Sequence, residues 1–410
     1  MSDTSERAEA ACHALTIRPE SATLADRCGG TRAVTITMFS FNTLRVSLSW
    51  PRAAVVGALV FCGADAFQRQ FIPPPAQNLF HLKRPKTHRV LRPEPGVFRG
   101  VLGESHFTIN SRGIRGPEMP PRASAYRILC LGDSVTECLY LDDNETWPAL
   151  IMQRLNQEEK MPRVWVGNVG QSGYSCFHHL RFLKVSDLIK EVDCVVLMAG
   201  SVDFAYGISG DLQTFPKAGP KKSKSWIETF FKEVRGKFRK KKSLMVEDLK
   251  GEVYKARRKE RMDGVKCNEL PDLTGPLKLY RQRLQEIVTL CRQNGVRPIL
   301  VSSAFVCREG LPPEDESMMW GGQLADGRFL GVQAISKGIS SYNKVTAEVA
   351  REMKVELVDA SPLNGQPDLF YDGSHLNEEG CRRLAGMVAD CFLARRNGNR
   401  WQPIQPENRS

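Results

Sequence analysis

Five short apolar runs alternate with stretches of helical periodicity along the C-terminal two thirds of the chain. Tyr126 to Leu131 is the first and stops at Gly132; Arg163 to Val169, Val192 to Ala199, Pro298 to Val301 and Val355 to Val358 follow. Between and after them, apolar residues at helical spacing predict helices over 146–155, 178–189, 277–293, 336–353 and 377–393. The third run is almost wholly apolar, as in a parallel sheet covered on both faces. Strands alternating with helices imply right-handed crossovers. The expected fold is therefore α/β: a three-layer α/β/α sandwich with a flavodoxin-like, doubly wound parallel sheet of about five strands. No internal repeat interrupts the series.

The pattern divides the chain into segments. Residues 1–67 read as a leader. Residues 68–124 read as a linker, rich in Pro and basic groups over 68–92, followed by short β-like stretches around Phe107-Thr108-Ile109. Residues 125–400 form the main domain. An insertion at 206–272 falls between the third strand and the next helix. Within it Trp226, Ile227, Phe230, Phe231, Val234 and Phe238 fall at helical spacing among lysines and arginines, and Met245, Leu249 and Val253 repeat the pattern. A lid or docking element and a plain core-facing hairpin both fit this stripe.

Composition leaves that outline in place: 41% hydrophobic and 25% charged residues are ordinary for a globular protein. Charge sharpens the view of the insertion. The chain carries +12 overall, yet 17 Lys/Arg face 6 Asp/Glu between Lys217 and Arg261. One basic amphipathic segment suits an anionic membrane surface or an acidic polymer as partner. No recognition motif for nucleic acid accompanies it. In the leader, Arg45 and Arg52 precede an apolar run from Ala53 to Ala64, then Ala64-Asp65-Ala66. That is the length of a signal-peptide core, with translation from Met38 making it N-terminal. Cys62 follows Phe61, where a lipoprotein signal wants a small residue. Export or membrane tethering is the expectation. Cytoplasmic residence is the alternative, because Cys130, Cys194 and Cys291 read as buried free thiols and no CxxC spacing marks a zinc or redox site. No metal and no cofactor are expected.

Two motifs carry chemistry. Gly132-Asp133-Ser134 directly follows the first strand, where a serine on a tight strand-to-helix turn presents its hydroxyl and helix-start N–H groups face an oxyanion. Asp372-Gly373-Ser374-His375 follows the fifth strand. A carboxylate three residues before an imidazole orients it, and the other ring nitrogen takes the serine proton. Asp372, His375 and Ser134 are thus candidate catalytic residues, while His178 and His179 open a helix and read as structural.

Together these residues resemble the SGNH/GDSL hydrolase superfamily. Ile128 to Glu137 is similar to its first block, Asn168-Val169-Gly170-Gln171-Ser172-Gly173-Tyr174 to its second and Tyr371 to Gly380 to its fifth. The resemblance spans about 125–395 without the insertion. It implies an esterase acting on a small-molecule or carbohydrate ester, with Ser134 and Gly170 giving N–H groups to the oxyanion. One block departs. The family's third block, Gly-x-Asn-Asp, reads Gly200-Ser201-Val202-Asp203 here. Val202 has no donor where an Asn side chain is expected. Either another donor compensates, Ser201 being the candidate, or the enzyme is slow, or the chain is a non-catalytic relative that binds an acyl or carbohydrate ligand.

Overall fold

The computed structural model describes residues 83–159, 161–211 and 251–394. The leader, the Trp226–Phe238 stripe and most of the basic segment 217–261 lie outside the described residues. No described helix is long and apolar enough to cross a membrane.

The described chain opens with an antiparallel hairpin, β1 (His88–Leu91) against β2 (Ser105–Thr108). It continues through β3 (Tyr126–Gly132), β4 (Val164–Asn168) and β5 (Cys194–Met198). After the insertion come β6 (Lys266–Cys267), β7 (Arg297–Val301), β8 (Phe329–Leu330) and β9 (Glu356–Val358). Five of these make one parallel sheet in the order β4-β3-β5-β7-β9. The expected five-stranded doubly wound sheet is the fold of this chain.

The apolar runs form strands because they are covered on both sides. Ile128, Leu129, Cys130 and Leu131 are fully buried at the sheet centre. β3 runs to β4 in one direction along the sheet and the chain then returns past β3 to β5, β7 and β9. With right-handed crossovers this change of direction sends the connecting helices to opposite faces. The helix Trp147–Asn156 packs with the last helix, Glu378–Ala394. The helix Thr274–Gln293 packs against both Cys176–Val185 and Val332–Glu352. The switch point lies between β3 and β5, where ligands of such sheets bind beyond the strand ends. Ser134 follows β3 and Ser201 follows β5, so the sheet brings both to that crevice.

Two expectations change. The linker reading of 68–92 stops short of His88–Leu91, which is strand. The residues after it belong to the same packed body: Leu91, Val97, Phe98, Phe107 and Ile109 cluster with Tyr140 and Tyr371. Arg115 also exchanges both main-chain hydrogen bonds with Asn168, extending the sheet edge. The second change concerns the insertion's charge. Its described helix, Glu252–Asp263, buries Arg258 and Arg261. Arg258 donates to the carbonyls of Val97, Met318 and Tyr371, and Arg261 to those of Gly321 and Leu330. These two cations are internal struts, because main-chain oxygens converge on them from three loops.

Candidate active site

The strand-to-helix turn after β3 is built by Asp133. Its carboxylate caps the four-residue helix Ser134–Glu137 by accepting the Val135 N–H at 2.9 Å. Ser134 therefore stands at the first helical position, beyond the buried strand. Across the crevice, Tyr371 N–H donates to the His375 carbonyl at 2.9 Å and closes a tight loop. Inside that loop Asp372 Oδ1 accepts the N–H groups of Ser374 and His375, at 2.9 and 2.8 Å. The three-residue spacing thus folds the carboxylate back onto its own imidazole.

The side chains form one relay. His375 Nδ1–H donates to Asp372 Oδ2 at 2.7 Å, and the Ser134 hydroxyl donates to His375 Nε2 at 2.7 Å. An acceptor-only carboxylate fixes this tautomer. Asp372 and His375 are each 2% exposed, so solvent does not compete for these bonds. Burial pushes the Asp372 carboxyl up, but the His375 charge and the hydrogen bonds from His375 and Ser374 outweigh it and hold the group below the usual carboxylate range. For His375, burial favours the neutral ring. The Asp372 charge and hydrogen bond outweigh that, with help from Asp133 and Cys138, and hold the imidazole above its ordinary value.

The oxyanion side differs from expectation. The Gly170 N–H donates to Asn168 Oδ1 at 2.8 Å and is buried there. Gly170 is needed for close approach: a Cβ would sit 2.3 Å from the Glu137 main-chain nitrogen. It is thus corrected from donor to spacer. Ser201 is corrected too, because its hydroxyl donates to Asp133 Oδ2 across the switch point. Val202 lies in the first turn of the helix Ser201–Ser209, half-buried and without a donor side chain. Two N–H groups stay open: among the described residues no acceptor takes those of Ser134 and Gly173. Gly173 has φ +77° and nothing within 4 Å of a Cβ position, so it borders open space in a backbone state that favours glycine.

The loop carrying Gly173 is tied to the Ser134 helix by a buried ionic network that no sequence pattern announces. The Ser172 N–H donates to Glu137 Oε2 at 2.8 Å, the Ser172 hydroxyl bonds the same oxygen, and Lys83 Nζ lies 3.1 Å from Glu137 Oε1. On the far side Tyr206 O–H donates to the Gly173 carbonyl at 3.1 Å. His178 and His179 lie away from the relay. His178 Nδ1 accepts the Ser175 N–H and caps its helix, and burial drives its pKa to about 4; His179 is buried, at about 3.

A family model described as GDSL-like lipase/acylhydrolase matches residues 130–383. Among solved structures the chain is similar to the lipase/acylhydrolase from Enterococcus faecalis, with 16% identity over 68% of this chain and 99% of that chain and a TM-score of 0.38. It is also similar to Axe2, an acetylxylan esterase from Geobacillus stearothermophilus, with 15% identity over 69% of this chain and 98% of that chain and a TM-score of 0.37. No curated protein matches.

Proposed function

The chain belongs to the GDSL-like lipase/acylhydrolase family, and we propose that it is a serine esterase cleaving a small-molecule or carbohydrate ester through an acyl-enzyme on Ser134. The observation that carries this reading is the unbroken relay from Ser134 Oγ through the His375 ring to Asp372 Oδ2. His375 Nε2 takes the hydroxyl proton as Oγ attacks the ester carbonyl. The tetrahedral oxyanion is met by the Ser134 and Gly173 N–H groups. Collapse expels the alcohol, which receives the proton from His375; water, activated by the same ring, then releases the acid.

A fluorophosphonate probe tests the nucleophile. Labelling at Ser134 that disappears in Ser134→Ala supports the esterase. A folded protein that takes no label at all is a ligand-binding relative with an idle relay.

Two further expectations follow from the site. The base must be neutral to act, and His375 is held above the ordinary histidine value of 6.5. The acidic limb of kcat/KM therefore falls above pH 6.5, with activity rising through it as pH increases. A limb below pH 6 would show that the base is not an imidazole held above 6.5. The second expectation concerns Val202, which leaves the oxyanion with main-chain donors only. One donor is typically worth about 10²–10³ in kcat. Val202→Asn is expected to recover part of this, raising kcat by about tenfold with KM little changed. An unchanged or lower kcat shows that the position does not face the oxyanion.

A further inference from the structure

Asp372 has a partner that the relay does not require. The Trp320 indole N–H donates to Asp372 Oδ2 at 2.9 Å, the same oxygen that accepts His375 Nδ1–H at 2.7 Å. With Ser374 and His375 N–H groups on Oδ1, the carboxylate receives four N–H donors, two on each oxygen. Trp320 is itself held in place. The Arg257 guanidinium lies over its ring at 4.9 Å, and Tyr254 meets it edge-on at 5.6 Å. Its plane is 17° from that of the His375 ring, with centroids 6.1 Å apart. Tyr254 and Arg257 come from the helix Glu252–Asp263, so the described end of the insertion reaches the relay through this indole and also directly, Tyr254 meeting the His375 ring edge-on at 6.1 Å.

We propose that Trp320 is a positioning residue that sets the basicity of His375 through Asp372; this rests on the reading of Ser134, His375 and Asp372 as a catalytic relay. A donor to a carboxylate oxygen draws off part of its charge. Oδ2 shares its charge between a neutral indole, which never titrates in the working range, and the imidazole. With the indole in place the carboxylate is 2% exposed, so no solvent competes for Oδ2. Without that N–H, Oδ2 serves His375 alone, holds the imidazolium more tightly and raises the pH at which the base becomes free. The carboxylate also loses its lateral stop, so the imidazole is aimed less well at Ser134. The other groups facing the pair stay in place: Asp133 and Cys138 toward His375, Tyr254 and Arg258 toward Asp372, and Tyr371 stacked on the His375 ring at 5.2 Å.

The test is Trp320→Phe in the full chain, which keeps a ring but removes the N–H. Two readouts are taken: the His375 titration by imidazole NMR and the pH profile of kcat/KM. Both are expected to move upward together by about half a unit. Plateau kcat is expected to fall about tenfold, with KM within about twofold. Biosynthetic 5-fluorotryptophan supplies a second measurement; it replaces all six tryptophans, so the same label in Trp320→Phe isolates the contribution of this indole. Its indole N–H is a stronger donor, so the His375 titration is expected to move down. A kcat loss with an unmoved His375 titration, or no displacement with the fluorinated indole, makes Trp320 a packing residue and overturns the proposal. The titration is read without turnover. A protein that hydrolyses no ester yet shows these displacements would overturn the esterase reading alone.

Discussion

Ser134→Ala lowers kcat for a p-nitrophenyl ester by about 10⁴-fold or more while leaving the fold and melting temperature in place. The size follows from what the substitution removes. Among the described residues, Ser134 Oγ is the only atom that His375 Nε2 is positioned to deprotonate, at 2.7 Å. Alanine leaves the relay with nothing to activate, and water in the vacated space lacks the orientation that the first helical position gives to Oγ. What survives is main-chain stabilisation of the oxyanion and substrate binding. The backbone cost is small, because the Asp133 cap to Val135 N–H does not use the serine side chain. Removing His375 as well is expected to add little, since groups acting as one unit do not sum. A variant that retains wild-type hydrolysis would remove Ser134 from the chemistry and with it the proposed function.

The parts of this site that the sequence displays are those fixed by local or periodic constraints. β3 reads plainly because a strand buried on both faces must be apolar throughout, and the serine turn follows directly on it. Asp372 and His375 read plainly because both sit in one loop, where a three-residue spacing suffices to close the hydrogen bond. The oxyanion side depends on distant partners and is hidden for that reason. Gly170 and Gly173 are the same residue type in the same motif. Only the fold shows that one presses against Glu137 while the other borders open space. Ser201 looks available until β5 is laid beside β3, which delivers its hydroxyl to Asp133. Arg258 and Arg261 count as surface charge in any composition, and only the convergence of loop carbonyls takes them inside. Trp320 follows the short helix Pro313–Ser317 in a loop without periodicity, so nothing near it in the chain points to Asp372.

Arg115→Met is expected to cost about 3–5 kcal/mol of stability. Arg115 is 3% exposed and spends its whole guanidinium on one segment and its neighbour. Nη1 donates to the Glu137 and Cys138 carbonyls at 2.7 and 2.8 Å, and Nη2 to those of Leu141 and His106 at 2.7 and 3.1 Å. Nε donates to Asp143 Oδ1 at 2.9 Å, and the group lies over the Phe107 ring at 4.3 Å. Methionine fills similar volume but strands these acceptors, each unsatisfied buried group costing about 1–3 kcal/mol before the structure relaxes. Against a domain stability of about 5–15 kcal/mol, that is a large share. Urea unfolding at constant m-value measures it, and an unchanged midpoint would show that the hairpin segment does not depend on this guanidinium. Activity falls as well, because Glu137 to Leu141 continue directly from Ser134 and Glu137 anchors the loop bearing Gly173. Arg115→Lys separates charge from shape. A lysine keeps the cation but offers a point where the site needs a planar fork, so it restores part of the stability and little of the placement of Ser134.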